Sequence, residues 1–307
     1  MTHQLITFAT PNFYVSKRTL LNSAKRFGIA QAKGFNHKEF KKTAFYKEQI
    51  SITSQARGAG YWLWKPYYIL QELQKLQEDE LLIYCDSGVD IVENLTPLYE
   101  IAKNSAQGVV LFKNYQAAAY FPKTTNLDYS EYNINVEVNK NKYWAKRDVF
   151  VLMQLDEERY WNSPQVDANF QIYRKCNESI IFVTEWLNYC CNEQIITDSP
   201  NKSGKPNFEN MFAHIHDQAI ISLLAEKYSI PLFRCPSQYG NHLKKSIYRK
   251  KGEFLLLPYS HNLLENSNYG TLLNHHRTKN MPFIHRWKSF LKQEMNVLRG
   301  YVSAYFC

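Results

Sequence analysis

Two carboxylates stand where an apolar pattern breaks. The run Leu81-Leu82-Ile83-Tyr84-Cys85 reads as a buried strand, and it ends on Asp86-Ser87-Gly88. In an open α/β sheet, ligands bind at the carboxyl ends of the strands. A carboxylate there can hold a hard divalent cation, which in turn bridges a diphosphate. Gly88 allows a tight turn that brings backbone close to such a group, although Asp-Ser-Gly is also good turn chemistry by itself. The second carboxylate, Asp217 in His216-Asp217-Gln218, opens a helical pattern, where the helix dipole favours its ionised form. An ionised Asp so placed can take a proton from a hydroxyl; the same placement serves a plain helix cap equally well.

Two more clusters carry usable chemistry. Behind Arg57 runs Gly58 to Tyr67, GAGYWLWKPY. Arg57 or Lys65 could pair with a diphosphate, and Tyr61, Trp62 or Trp64 could stack on a base or a sugar face. The plain alternative is that Trp62 and Trp64 wedge a helix against the sheet. Late in the chain comes Asn274-His275-His276-Arg277-Thr278-Lys279. Two adjacent histidines on a surface loop are common, so by themselves they mark nothing.

The elements that must position these residues follow from periodicity. Leu5 to Ala9 is a short apolar strand ending at Thr10-Pro11. Ser16 can cap a helix with Leu20, Leu21, Ala24 and Phe27 on one face, which Gly28 ends. Pro66 suits the first turn of a second helix, with Ile69, Leu70, Leu73 and Leu76 inward. Glu80 to Cys85 is the next strand, Thr96-Pro97 opens a helix, and Gly108 to Phe112 is a strand. This alternation implies parallel pairing. Further on, the pattern gives a polar excursion at Lys123–Asn141, helices at Asp148–Leu155, Ser179–Cys191 and Asp217–Tyr228, strands at Ala168–Tyr173 and Ile230–Phe233, and a turn-rich linker at Asp198–Asn207.

Composition bounds the class. The 307 residues are 45% hydrophobic and 15% aromatic, which supplies a large core and excludes a disordered chain. With 37 Lys and Arg against 28 Asp and Glu, the net charge of +9 favours anionic partners. The runs at Lys244-Lys245 and Arg249-Lys250-Lys251 are too short for a nucleic-acid arm, and no nucleic-acid motif accompanies them. Six cysteines with no CxxC spacing read as reduced, without disulfides or zinc. With no signal peptide and no apolar run of membrane-spanning length, the expected location is cytoplasmic. Pro282 to Tyr301 reads as a basic amphipathic helix, with Ile284, Trp287, Leu291 and Leu298 on one face. It could lie on the inner face of an anionic membrane or dock on the domain.

The combination of Gly58–Tyr67, Asp86-Ser87-Gly88, Trp144-Ala145-Lys146-Arg147-Asp148, Phe182–Trp186 (FVTEW) and His216-Asp217-Gln218 resembles the GT-A-fold glycosyltransferases of bacterial capsule and lipopolysaccharide synthesis. The likeness runs from about Leu5 to Lys279. It implies an α/β fold, a Rossmann-type mixed sheet flanked by helices. The domain would span 1–280, with a nucleotide-sugar half at 1–115, an acceptor half at 116–280, and the C-terminal helix at 281–307. It also implies transfer of a sugar from a nucleotide-sugar, a UDP-sugar foremost, to a glycan or lipid-linked glycan. The donor would lie against Thr10, Arg57, Tyr61, Trp62, Lys65, Ser87 and Gly88, with His216 and Gln218 nearby and Arg277 and Lys279 on its diphosphate. Asp217 would be the base of an inverting reaction, or position the donor sugar in a retaining one. Mn2+ or Mg2+ would be held by Asp86, Asp90 and His276. The second aspartate of the family's Asp-x-Asp is Gly88 here, which opens metal independence or a non-catalytic glycan- or partner-binding module as the alternative.

Overall fold

The computed structural model describes residues 3–114, 139–237, 240, 245–250, 253–258, 266–276, 279, 291 and 295. The expectations for Arg277 and for nearly all of the polar excursion and the C-terminal amphipathic helix lie outside the described residues.

The alternating apolar segments assemble into one six-stranded mixed sheet flanked by helices. Its strands are β1 (His3–Ala9), β2 (Gln31–Asn36), β3 (Leu81–Cys85), β5 (Val109–Phe112), β6 (Phe170–Arg174) and β7 (Leu232–Phe233), in the order β2-β1-β3-β6-β5-β7. β1 pairs in parallel with β2 and β3, and β5 with β7. β6 enters antiparallel between β3 and β5. All five residues of β3 are buried, as expected of a strand covered on both faces. β4 (Val89–Ile91) follows β3 after a turn and pairs antiparallel with β10 (Leu273–His275). A separate antiparallel hairpin joins β8 (Lys245–Lys250) and β9 (Glu253–Pro258).

Alternation along the strands divides the core between the two faces of the sheet. Leu5, Ile83 and Cys85 meet Leu20 and Ala24 of α1 (Tyr14–Arg26) on one face. Ile6, Phe8, Leu82 and Tyr84 share the other with α2 (Trp64–Lys75), which contributes Tyr68, Ile69 and Leu73. α3 (Thr96–Asn104) carries Thr96-Pro97 in its first turn, but the residue at the cap position is Leu95, not the expected Thr96. α4 (Arg147–Leu152) stops short of Leu155, where Gln154 takes a left-handed φ of 57°. α5 (Asn177–Cys190) and α6 (His216–Lys227) complete the layer beside α2.

Two local readings change. Ser16 does not cap α1, which begins at Tyr14 after a 3-10 turn at Pro11–Phe13. Ser16 is instead buried, and its Oγ donates to the Lys279 carbonyl at 3.1 Å, tying the late loop to α1. The segment 198–207 is no free linker. Asp148 accepts from Lys202 N (2.7 Å), Ser203 N (3.1 Å) and Gln194 Nε2 (2.8 Å), and Lys146 Nζ donates to the Ser199 carbonyl at 2.8 Å.

Candidate functional site

A cavity of about 630 Å³ opens at the carboxyl ends of β1 and β3. Phe8, Ala9 and Thr10 bring the end of β1 to it, and Asp86, Ser87 and Gly88 the end of β3. Gly58, Trp62 and Trp64 form another wall, with Asn169, His275 and Lys279 completing it. The parallel pairing of β1 with β3 is what brings these two strand ends side by side.

The Asp86 side chain, 26% exposed, accepts a hydrogen bond from the Tyr84 hydroxyl and lies 3.9 Å from Lys65 Nζ. Its backbone N–H donates to the Asn169 carbonyl at 2.8 Å, continuing the β3–β6 ladder by one residue. Lys65 is 3% exposed, ion-paired to Asp217 at 2.9 Å, and donates to the Ala168 carbonyl at 3.1 Å. Burial would lower the Lys65 pKa, but the carboxylates of Asp217, Asp86 and Asp167 outweigh it and raise the value. Asp217 is pushed up to about 6, first by burial and also by the Asp86 charge, with Lys65 opposing.

Next to this cluster the backbone is strained. Gly58, Ala59, Gly60, Tyr61 and Trp62 all have left-handed φ, between 51° and 95°. His216, at φ 54°, joins them in space: its ring lies parallel to Trp62 at 5.5 Å and tilted to Tyr61 at 4.8 Å. Its Nδ1 bonds the Ile196 carbonyl at 2.8 Å and its Nε2 accepts from Arg57 Nε at 2.7 Å, which fixes a neutral tautomer. Burial agrees, lowering its pKa to about 4. Arg57 also meets Asp198 at 3.2 Å.

The expected site residues are therefore distributed as follows. Thr10, Trp62, Asp86, Ser87, Gly88 and Lys279 line the cavity. Lys65 and Asp217 form a buried pair just behind Asp86, and Tyr61, His216 and Arg57 pack behind Trp62. Gln218 continues the first turn of α6. Trp64 lines the cavity while stacking on Phe8 at 3.9 Å, so it serves as a wedge and a wall at once. Of the two adjacent histidines, His275 faces the cavity, whereas the His276 side chain is wholly buried with Nε2 3.6 Å from Asp90 Oδ2.

This geometry bears on the metal. Among the described residues no three His, Cys, Asp or Glu side chains come together to hold an ion, so Asp86, Asp90 and His276 do not form a donor set. Asp86 is also already met by a hydroxyl and an ammonium.

Sequence reasoning passed over Asn169, Tyr84 and Phe8. Asn169 becomes legible only once β6 is known to run antiparallel to β3, because Cys85 then faces Phe170 and the next rung joins Asp86 to Asn169.

The chain is thus an α/β protein with an acid-floored cavity at the carboxyl edge of its sheet. No protein-family model and no curated protein matches it. Among solved structures it is similar to mouse xyloside xylosyltransferase 1, at 10% identity and a TM-score of 0.43, covering 90% of this chain and 97% of that one. It is also similar to WbbM, a bifunctional glycosyltransferase, at 12% identity and a TM-score of 0.41. That match covers 96% of this chain and 44% of WbbM, so the chain spans under half of its length. The galactosyltransferase LgtC, in complex with donor and acceptor sugar analogues, is similar at 9% identity and a TM-score of 0.39, covering 96% and 95%. Overlaps this low say nothing of what this chain acts on.

Proposed function

We propose that this chain is a glycosyltransferase that moves a sugar from a nucleotide-sugar, a UDP-sugar foremost, to a glycan or lipid-linked glycan acceptor in bacterial surface polysaccharide or lipopolysaccharide synthesis. The observation that carries the reading is that Asp86, which lines the cavity, meets Lys65 and through it Asp217 just behind the cavity wall, residues drawn from three separate motifs of the sequence resemblance.

In such a transfer the acceptor oxygen bonds the anomeric carbon while the bond to the diphosphate breaks. The acceptor proton passes to a carboxylate, and the leaving diphosphate keeps the electron pair. Asp86 is the acid that faces the cavity and so the group placed to meet substrate. Asp217 is a positioning residue: it holds Lys65, whose ammonium sets the charge beneath Asp86. The negative charge of the departing diphosphate calls for fixed cations in a cavity shielded from water. Lys279 lines the cavity and is the described residue best placed to supply one. Trp62 offers a ring face for stacking a base or sugar.

The test is nucleotide release from UDP-, GDP-, CMP- and dTDP-sugars, with and without manganese, by wild type and Asp86→Asn. Release from one donor that is lost in the variant supports the reading. No release from any donor, with glycan binding unchanged in the variant, would favour the binding-module alternative.

A further inference from the structure

Positive charge is unevenly placed on this fold. Residues 1–50 hold nine lysines and arginines and two glutamates, a net +7, residues 241–307 hold eleven against three, a net +8, and residues 51–240 hold 17 against 23, a net −6. The N-terminal share lies about the β2 edge of the sheet, where, among the described residues, β2 ends the strand order and pairs with β1. α1 lies against that edge, its Lys17 ammonium reaching the Gly34 and Phe35 carbonyls at 3.4 and 3.3 Å. α1 contains no acidic residue and exposes Arg18, Lys25 and Arg26. Beyond β2, Lys38, Lys41, Lys42 and Lys47 are exposed too, with Glu39 and Glu48 the two acids among them.

Three large apolar side chains of residues 1–50 are exposed. Tyr14 is 39% and Val15 44% exposed at the start of α1, and Ile50 is 51% exposed at the end of the basic stretch. Asn12 and Phe13, just before Tyr14, line the cavity, as does His37, just before Lys38. The basic face therefore borders the cavity mouth.

Cations interspersed with exposed aromatic and aliphatic groups match an acidic bilayer surface, where the apolar groups enter the headgroup layer and the ammonium groups meet its negative charge. A nucleic acid would meet the cations but leave Val15 and Ile50 in water. We propose that this face docks on a lipid bilayer carrying acidic headgroups and turns the cavity mouth toward the membrane. The inference does not depend on the reaction proposed above.

The full chain is sedimented with phosphatidylcholine vesicles, with or without phosphatidylglycerol. Binding is expected only with the acidic lipid and weakens as salt rises. Each cation near such a surface is worth about fivefold in affinity, so Lys38→Gln/Lys41→Gln/Lys42→Gln should weaken binding roughly a hundredfold. Lys75→Gln/Lys103→Gln/Lys202→Gln removes the same charge from exposed sites elsewhere, and should change binding only a few-fold. Tyr14→Ser/Val15→Ser should weaken it with the salt dependence retained. Three results would overturn the proposal: no preference for the acidic lipid, equal loss in the two triple variants, or single-stranded DNA bound through the same three lysines as tightly as vesicles with Tyr14→Ser/Val15→Ser without effect.

Discussion

Lys65 keeps a full charge at 3% exposure because Asp217 lies 2.9 Å and Asp86 3.9 Å from its ammonium. A buried cation is tolerated only with such partners. Burial nevertheless holds the Asp217 carboxyl up at about 6, so its ionised form is disfavoured in the fold, and the neutral side chain of Asp217→Asn should not lower stability at neutral pH, read from denaturant midpoints. The pH dependence has a definite sign. Asp217 titrates at about 6 in the folded chain, against about 3.9 for a free Asp. The folded state therefore binds this proton more tightly, and its stabilising contribution is complete below about 4 and lost as pH rises through 6. Activity runs the other way. If ionised Asp217 is needed to hold Lys65 under Asp86, the rate falls as pH drops through about 6. That limb should disappear from the residual activity of Asp217→Asn. Sequence alone placed Lys65 near the chemistry but read it as a diphosphate contact; the pairing that buries it spans distant segments and leaves no local trace. Likewise nothing in Asn274–Lys279 tells His275 from His276, since their opposite faces depend on the pairing of β10 with β4.

At the scale of elements, the left-handed run Gly58–Trp62 is the feature most at odds with local preference. A left-handed residue with a side chain costs roughly 1–2 kcal/mol, and Ala59, Tyr61 and Trp62 each take that conformation. Packing against His216 and the sheet must compensate, and the outcome is a Trp62 ring at the cavity wall. Gly60, at φ 95°, has a second constraint: an added Cβ would sit 2.7 Å from the Thr53 Cα. Gly28, at φ 90°, has open space around it. Gly28→Ala should therefore cost about 1 kcal/mol. Gly60→Ala should cost at least twice that, and differential scanning calorimetry would order the two. The glycines advertise a turn, but aromatic residues give no sign of a left-handed conformation. Asp198–Asn207 shows the converse, since its turn-rich composition suggested a linker while Asp148 pins it from a distant helix. Asp148→Ala should make this segment cleavable under limited proteolysis that spares the wild type.

For the whole molecule, the class of fold was legible and its wiring was not. Apolar runs at Leu5–Ala9 and Leu81–Cys85 separated by helical periods imply parallel strands, and β1, β2 and β3 are parallel. Nothing in Phe170–Arg174 announces that β6 enters antiparallel between β3 and β5, because short buried strands look alike in either direction. The proposed reaction turns on the carboxylate at the mouth of β3. Its most direct test is the rate of nucleotide release from the best donor by wild type and by Asp86→Asn, with matching melting curves to show both are folded. We predict a drop on the order of a hundredfold or more; equal rates in the two proteins would contradict the assignment of Asp86 and, with it, the site.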